Sequence, residues 1–527
     1  MMHRNPSVMT SSHSFSQVPK AEIPRSTFDR SHGHKTAFNS GLLIPILVDE
    51  MLPGDTFNVS MTGFARLATP IFPIMDNMYM DTQFFAVPVR LVWDNWQKFN
   101  GEQTDPGDST DFTVPQLESG ALGFAANTIH DYMGLPPEVP NVSVSALWHR
   151  AYNLIWNTWY RDQNMQDSLV VPRDDGPDAA SDYVLQRRGK RHDYFTSCLP
   201  WPQKGPGVTI PLGGSAPVGF TGASGVGTQL NVLALPSGVS QNMWTTASPS
   251  SLLETAGTQP AQGTSLFADL SQATAATINS LRQAFQIQKI FERDARGGTR
   301  YTEIIKAHFG VTSPDARLQR PEFLGGGSTP INIAPIPQTS GSGAYTGTPQ
   351  GNLAAMGTAL AQGHGFTYSA TEHVLILGLV SVRADLTYQQ GINRMWYRKT
   401  RFDYYLPALS HIGEQAVLRK EIFTTGTPLE DDTVFGYNER YAEYRYKPSI
   451  ITGEMRSSFP QSLDSWHLSQ DFANAPVLDA QFIVENPPVD RVVAVTDEPQ
   501  FIFDSYFQMR CARPMPVYGV PGLIDHF

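Results

Sequence analysis

An uninterrupted apolar run, Val374-Leu375-Ile376-Leu377-Gly378-Leu379-Val380, is the centre of the predicted fold. It is far shorter than the ~20 residues that a membrane-spanning helix requires, so a membrane helix is excluded. Continuous apolar character is typical of a strand that is buried on both faces. From Ser381 to Tyr388 apolar and polar residues alternate, which predicts that this strand, or its partner, then becomes half exposed.

A basic and aromatic cluster follows from Arg394 to Tyr405. Aromatic side chains are common in cores and at protein interfaces, and together with cations they also bind single-stranded nucleic acid. We predict that this cluster is a contact surface, with DNA and a neighbouring subunit as the alternatives. Its tyrosines favour the subunit, whereas its arginines leave both alternatives open.

The composition bounds the class of protein. The 527 residues are 41% apolar and only 17% charged, with 43 glycines and 40 prolines, which predicts many turns and long ordered loops rather than disorder. A net charge of −11 argues against a general nucleic-acid-binding protein, so any such binding must use local basic patches. The two cysteines, Cys198 and Cys511, are expected to be free thiols.

Residues 1–40 are predicted to form an N-terminal arm. They carry a net charge of +3, because five Lys and Arg residues face two acidic residues, and three prolines discourage regular structure. We expect the arm to pack on a neighbouring subunit or to touch nucleic acid. The pair His32-Gly33-His34 lacks a third ligand at zinc-motif spacing, so no metal site is predicted there. The start of the chain contains no apolar signal core, which predicts neither secretion nor membrane insertion.

Several segments predict antiparallel strands. Leu42–Val48 should form an edge strand or a bulge, because Pro45 cannot donate a backbone hydrogen bond. Phe57–Phe64 alternates as a half-buried strand should, and Met78–Val92 predicts a long strand that is interrupted at Pro88. No helix of ten residues fits between these segments, which favours antiparallel pairing over βαβ units. Phe501–Arg510 is predicted to be the last strand.

Helices and insertions account for most of the remainder. Apolar spacing predicts helices at Ser145–Asp162, Gln272–Ala295 and Tyr301–Phe309. Residues 205–272 contain only two charged side chains, and we predict an ordered, β-rich insertion displayed at the surface. Residues 323–363 are also uncharged and rich in Gly, Ser and Pro, and we predict an insertion loop.

The run Gln186-Arg187-Arg188-Gly189-Lys190-Arg191-His192 is the densest basic segment. It is either a solvated loop or a contact to phosphate groups. Tyr194, Phe195 and Trp201 follow closely, and this combination of cations with stacking side chains is typical of single-stranded nucleic acid binding.

No catalytic constellation is evident in the sequence. A G-x-S-x-G elbow, a P-loop and an H-E-x-x-H motif are all absent. The acidic clusters Asp174-Asp175 and Glu430-Asp431-Asp432 fit solvated turns, with a cation site as the alternative. We therefore predict that the protein is not an enzyme, that it uses no cofactor, and that it has no catalytic or metal-binding residues.

Five long segments together resemble one family, the major capsid proteins of the gokushovirus branch of the Microviridae, which are small phages with circular single-stranded DNA. The segments occur in the family's order and span nearly the whole chain outside the two uncharged insertions. They are residues 21–35, 187–204, 383–405, 434–447 and 513–523.

The resemblance implies a mainly β fold, an eight-stranded antiparallel jelly roll with long inter-strand insertions and a few helices. It implies one domain over 41–527 and a T=1 icosahedral shell in the virion, assembled in the host cytoplasm from copies of this chain around circular single-stranded DNA. An internal scaffolding protein and a DNA pilot protein are the implied partners. Insertion 205–272 is the candidate for the protrusion at the three-fold axis, where it would meet a host receptor of unknown identity. The alternative is a jelly-roll receptor- or glycan-binding module that forms no closed shell.

Interior DNA predicts local basic and aromatic patches within an acidic chain, with phosphate contacts that are independent of base sequence and sensitive to salt. The candidate single-stranded DNA contacts are Lys20, Arg25, Arg30, Lys35, Arg187, Arg188, Lys190, Arg191, Arg398, Lys399 and Arg401. The candidate base-stacking or subunit-interface aromatics are Trp396, Tyr397, Tyr404, Tyr441 and Tyr444.

Overall fold

The computed structural model describes residues 24–208, 278–297, 301–310, 319–339 and 350–518, together with short strands between 218 and 268. In chain order its strands are β1 (Ser26–Asp29), β2 (His32–Phe38), β3 (Ile44–Met51), β4 (Thr56–Leu67), β5 (Met78–Pro88), β6 (Gln116–Glu118), β7 (Ser143–Ser145), β8 (Val218–Thr221), β9 (Gln229–Ala234), β10 (Val239–Trp244), β11 (Glu254–Thr255), β12 (Ser265–Ala268), β13 (Glu322–Pro337), β14 (Leu353–Ser369), β15 (Val374–Ala384), β16 (Thr387–Tyr388), β17 (Glu414–Leu418), β18 (Val434–Glu439), β19 (Ser449–Ile450) and β20 (Phe501–Arg513). Its α-helices are α1 (Trp96–Phe99), α2 (Ile129–Tyr132), α3 (Leu147–Ile155), α4 (Ile278–Arg296), α5 (Tyr301–Phe309) and α6 (Pro428–Asp431).

Among the described residues, nine strands form one antiparallel sheet in the order β1-β20-β4-β14-β13-β5-β15-β3, with β2 also paired to β20. Strands β1 and β2 pair with successive parts of β20, so the sheet is eight strand positions wide. The sheet curls, because the Phe84 ring of β5 lies 5.3 Å from Phe366 of β14 and 6.4 Å from Phe507 of β20. This arrangement confirms the predicted mainly β, antiparallel fold of the jelly-roll type.

Strand β15 is buried along its whole length, as predicted for the apolar run. Val374, Ile376 and Val380 point into the core enclosed by the curled sheet. Leu375, Leu377 and Leu379 point into a second core on the opposite face. Helix α3 contributes its own apolar side chains to that second core, so it covers this part of the sheet. The expectation that the strand becomes half exposed at Ser381 was wrong, because a buried polar cluster continues the second face there.

The edge position of β3 also follows the prediction. Within the part of the chain that the structure describes, β3 pairs only with β15 at the end of the sheet, and the register shifts where Leu379 faces Pro45. Strand β4 shows the predicted alternation of buried and exposed residues. Strand β5 ends at Pro88, where the long predicted strand was expected to be interrupted, and β20 contains the predicted last strand.

The insertion loop predicted at 323–363 is instead made largely of two strands at the centre of the sheet. Strand β13 pairs with β5 and β14, and β14 pairs with β4. The reason lies in the glycines, which bring backbones close together. A Cβ atom at Gly326 would lie 2.0 Å from the Thr82 carbonyl oxygen, and one at Gly325 would lie 2.5 Å from the Gly365 carbonyl oxygen. The composition that suggested a loop therefore reflects tight strand packing.

The predicted arm differs from the structure in a similar way. Within residues 1–40, Ser26–Asp29 and His32–Phe38 are edge strands of the main sheet rather than irregular chain. Residues 1–23 lie outside the described part, so the prediction for them stays untested.

Residues Gln203–Gly298 form a compact unit of their own. The described strands of this unit pair as β8 with β12 and as β9-β10-β11, all within the insertion predicted at 205–272. Helix α4 begins at Ile278 and ends at Arg296, where the Gly297 amide donates to the Arg293 carbonyl at 2.7 Å. The other unit contains helix α5, whose bounds match the prediction.

Candidate contact surfaces

The basic residues of the predicted arm have acidic or polar partners along the sheet edge. Arg25 donates to the Thr56 hydroxyl at 3.0 Å, and Arg30 pairs with Asp49 at 2.8 Å. Lys35 forms an exposed ion pair with Asp504 across the β2–β20 ladder. Lys20 lies outside the described residues.

The basic run at 186–192 enters the protein instead of forming a solvated loop. The Arg187 guanidinium donates to the carbonyls of Ser40 and Glu485 at 3.1 and 3.2 Å. Burial lowers the pKa of Arg187. The backbone packs closely here as well, because Gly41 has φ +78° and a Cβ at that position would lie 2.1 Å from the Glu485 carbonyl oxygen. Arg187 therefore joins segments that are distant in sequence.

Asp81 of β5 is the centre of a buried ionic cluster on the second face of the sheet. Its carboxylate accepts hydrogen bonds from Arg188 at 2.6 Å, from Arg383 at 2.9 Å and from the Ser328 hydroxyl at 2.5 Å. Arg188 also donates to the Ser381 hydroxyl at 3.0 Å. Burial alone would raise the pKa of Asp81, but the Ser328 hydrogen bond and the two guanidinium charges outweigh it, so the pKa lies below its ordinary value.

Lys190 is held inside a cluster next to this one. Its ammonium donates to Gln470 at 2.8 Å and lies 4.4 Å from the centre of the Phe482 ring. Burial lowers the pKa of Lys190 to about 8. The neighbouring Glu485 carboxyl is also buried, which raises its pKa, and it accepts a hydrogen bond from the Ala384 amide at 3.1 Å. Burial therefore disfavours the charged form of both groups.

Arg191 and His192 are the exposed members of the basic run. Arg191 lies 3.6 Å from Asp385 across a partly exposed contact. Whether any of the run meets DNA stays a prediction, and exposure favours Arg191 over Arg187, Arg188 and Lys190.

The cluster at 394–405 has an inner layer that binds two buried carboxylates. Glu421 accepts hydrogen bonds from the Tyr397 hydroxyl at 2.7 Å and from Arg394 at 3.2 Å. Glu443 accepts from Arg398 at 3.3 Å, and its side chain is almost fully buried. Arg398 also lies over the Tyr444 ring at 4.4 Å, so its side chain is buried rather than directed to solvent.

The outer layer of the same cluster is exposed. Trp396 has 75% of its surface open to solvent, and Tyr404 is about half exposed. Lys399 and Arg401 are exposed beside them. The cluster predicted from sequence therefore divides into an inner layer that fixes its shape and an outer layer that is open to a partner.

The predicted tyrosines at 441 and 444 divide in the same manner. Tyr441 is buried with φ +62°, and its ring lies 5.2 Å from Tyr405. Tyr444 is half exposed and lies 6.1 Å from Tyr441. Both tyrosines thus extend the outer aromatic layer, one from below and one at the surface.

Sequence reasoning missed the acidic side of this region. Glu421 and Glu443 follow the cluster by more than 15 residues and stand in no recognisable motif, so only the folded chain brings them to the arginines. It also missed a cavity of about 460 Å³ beside the cluster, which Trp396, Met395 and Ile450 help to line.

In the described part of the chain, no group of three or more His, Cys, Asp or Glu side chains is arranged to hold a metal ion. Within the same residues, no helix is both long and apolar enough to span a membrane.

Replacing Asp81 with Ala should strongly destabilise the fold. Arg188 would then be buried without a carboxylate, and Arg383 would keep only its longer contact with Asp385 at 3.7 Å, so we expect the free energy of unfolding to fall by about 3–5 kcal/mol. Asp504→Ala is the matched control, because its ion pair with Lys35 is exposed and should contribute less than about 1 kcal/mol. Denaturant unfolding of both variants measures the difference, and equal effects would contradict the structural role of the cluster.

The buried ammonium of Lys190 predicts a defined pH dependence. Between about pH 8, its pKa in the fold, and the ordinary value of 10.5, the unfolded chain holds a proton on this lysine that the folded chain lacks. Its contribution to the free energy of unfolding should therefore rise with pH across this window, by about 2–3 kcal/mol. We expect Lys190→Met to abolish this rise in denaturant unfolding measured from pH 7.5 to 10.5. Lys306→Met, at an exposed lysine, serves as the control. If the free energy of unfolding of Lys190→Met rose with pH as it does in the wild type, the prediction would be contradicted.

Comparison with known proteins agrees with these features of the fold. The chain matches a family model described as capsid protein (F protein) over residues 16–523. It is 48% identical over 528 residues to capsid protein VP1 of Bdellovibrio phage phiMH2K and 44% identical over 598 residues to capsid protein VP1 of Chlamydia phage 1, and each alignment covers 98% of both chains. It is 39% identical to capsid protein VP1 of Spiroplasma virus 4 over 97% of both chains. The gokushovirus resemblance is thereby confirmed, and the chain belongs to the phage capsid (F) protein family as a structural capsid protein of the virion.

Proposed function

We propose that this capsid protein assembles with copies of itself into a closed T=1 icosahedral shell around circular single-stranded DNA. The observation that carries the proposal is that many clustered apolar side chains stay exposed, although the chain has already formed a complete core. Monomeric soluble proteins rarely expose contiguous apolar patches of this kind, and such patches mark interaction surfaces.

One such surface is the outer face of strands β20, β4 and β14. Phe64 lies directly across from Leu360 on one side and Asp504 on the other, and about half of each apolar side chain is exposed. Ile502 and Tyr506 flank Asp504 on the same face of β20 and are also more than half exposed. Three adjacent strands therefore present clustered apolar side chains on one face, with the exposed Lys35–Asp504 ion pair among them.

The outer layer of the 394–405 cluster is a second surface. Phe402, Tyr404 and Tyr405 are each about half exposed next to the more exposed Trp396. Large aromatic side chains held rigidly in this way are the residues that dominate the energetics of protein interfaces.

Shell formation predicts that Phe64→Lys prevents closed particles while leaving the subunit folded. The new ammonium would lie across from Asp504, so the free subunit loses little, whereas a dry subunit contact would have to bury a charge. Electron microscopy and sedimentation of the chain expressed with the other virion genes should show uniform particles for the wild type and for Val170→Lys, a control at another exposed apolar side chain. A stable wild-type monomer would instead favour the binding-module alternative, and normal particles from Phe64→Lys would remove this face from the proposal.

For the DNA contact, the exposed cations of the predicted set are better placed than the buried ones. Arg25, Lys35, Arg191, Lys399 and Arg401 are exposed, and Trp396 and Tyr404 lie near two of them in sequence. A phosphate contact needs an accessible charge, and stacking of a base on an exposed aromatic ring contributes about 1–3 kcal/mol. We therefore assign the sequence-independent DNA contacts to these residues and a structural role to Arg187, Arg188, Lys190 and Arg398.

Replacing Arg191, Lys399 and Arg401 together with Gln should weaken binding of single-stranded DNA and flatten its salt dependence. Loss of three phosphate contacts lowers the slope of log K against log salt by about 2. Arg282, Lys289 and Lys306 are exposed on helices α4 and α5, and their replacement with Gln makes the same change in net charge. Titrations of fluorescent DNA at several salt concentrations, with the DNA content of particles, provide the readout. An unchanged slope, or an equal loss in the control, would contradict the assignment.

The remaining parts of the proposal rest on the family resemblance. The compact unit at 203–298, which contains the predicted insertion 205–272, is proposed to be the protrusion at the three-fold axis that meets a host receptor. An internal scaffolding protein and a DNA pilot protein are the proposed assembly partners, with assembly in the host cytoplasm. The role is structural, and the protein performs no catalysis.

A further inference from the structure

The cavity of about 460 Å³ beside the 394–405 cluster has the character of a receptacle for an aliphatic side chain. Ile392, Met395, Ile450 and Ile451 line its walls, and Trp396 stands at its side with most of its indole exposed. A pocket of this size with apolar walls and a few convergent polar groups is typical of a binding site.

The carboxylates that line the cavity are already neutralised. Glu421 accepts hydrogen bonds from the hydroxyls of Tyr194 and Tyr397, both at 2.7 Å, and from Arg394 at 3.2 Å. Glu443 accepts hydrogen bonds from Arg398 and Gln415. An apolar group can therefore enter without leaving an unpaired charge. Two further lining residues, Lys447 and Arg456, are exposed cations, so the rim favours a partner that carries negative charge beside its apolar group.

The same chain carries a knob with that chemistry, formed by residues 427–432. Leu429 has 85% of its surface exposed, and it is flanked by the exposed Glu430 and Asp432. The loop is held rigidly, because the Asp431 carboxylate accepts hydrogen bonds from the amides of Thr425 and Gly426 at 2.8 and 3.0 Å. A knob that is already held in its bound conformation loses little conformational freedom on binding.

Knob and cavity lie beside each other on the molecule. The Lys420 ammonium pairs with Asp432 of the knob, and the Lys420 carbonyl accepts a hydrogen bond from the amide of Ile392 in the cavity wall at 2.9 Å. When two complementary features are adjacent on one surface, two copies related by a two-fold axis can engage both pairs at once.

We propose that residues 427–432 of one copy insert Leu429 into this cavity of a second copy, with Glu430 meeting Lys447 and Arg456, and that the contact is reciprocal about a two-fold axis. The inference rests on the proposed shell and names one of its subunit contacts.

Assembly of the full chain with the other virion genes tests the contact. Leu429→Asp should reduce the yield of closed particles at least tenfold, whereas Leu122→Asp, which alters a leucine that is 90% exposed outside this surface, should leave it unchanged. Glu430→Lys and Lys447→Glu should each reduce the yield, and the chain that combines them should recover at least half of it. Circular dichroism of each variant chain verifies folding.

Disulfide trapping tests the two-fold geometry. Both native cysteines are buried, so the variant with Leu429→Cys and Ile450→Cys should give covalent dimers on mild oxidation of particles, and no larger species. A ladder of higher oligomers, or normal particle yield from Leu429→Asp, would overturn the proposal while leaving the shell intact. Loss of particles in both charge reversals without recovery in the combined chain would also overturn it, because the knob would then serve another protein. Absence of closed particles from the wild type would instead refute the proposed shell.

Discussion

Strand β15 has no exposed face, and this double burial is the constraint on which the rest of the fold depends. Its even-numbered apolar residues complete the core enclosed by the curled sheet, and its odd-numbered ones require a second cover. Helix α3 and the loops around it supply that cover, so the long segments between strands are part of the structure rather than additions to it. Gly378 lets this happen at the crowded centre, because a Cβ there would lie 2.8 Å from the Phe84 ring.

Beyond the apolar residues on the second face of β15, the buried layer consists of polar and charged side chains. Asp81, Arg188 and Arg383 continue the same buried layer with ionic hydrogen bonds. Burying charges in this way is favourable only when every partner is present. The densest basic run of the chain is therefore committed mostly to the interior, which explains how an acidic protein can contain it without displaying a broad basic surface.

The exposed surface differs from this charged interior, because it carries clustered apolar side chains. The uncovered half of the sheet and the 394–405 cluster expose aromatic and aliphatic side chains that a solitary protein would hide. In both places the exposed layer stands on a rigid base, a β-ladder in one and arginine–carboxylate pairs in the other. A surface of that kind can hold a partner with little loss of conformational freedom.

Local sequence patterns predicted the secondary structure correctly where one physical cause determined it. Alternation predicted β4, and a proline predicted the edge position of β3. Helical spacing predicted the bounds of α5 and the start of α3 to within two residues, but α3 ends seven residues before the predicted Asp162, and a π-helical turn follows it at Trp156–Tyr160. The pattern failed at 323–363, because glycine permits both loops and close strand pairing, and only the neighbouring strands decide between them. It also failed to foresee the inward course of the basic run, since Asp81 precedes Arg188 by more than 100 residues.

Sequence alone was therefore enough to predict the type of fold, the family and five of the nine strands of the main sheet, because hydrophobic period, turn residues and long motifs act locally. The tertiary structure decided which charges are available. Arg188 and Arg398 resemble Arg191 and Arg401 in the sequence, yet the first two are buried against carboxylates and the others are exposed. That difference arises from contacts between distant segments, and it separates the residues that hold the subunit together from those that can meet a partner.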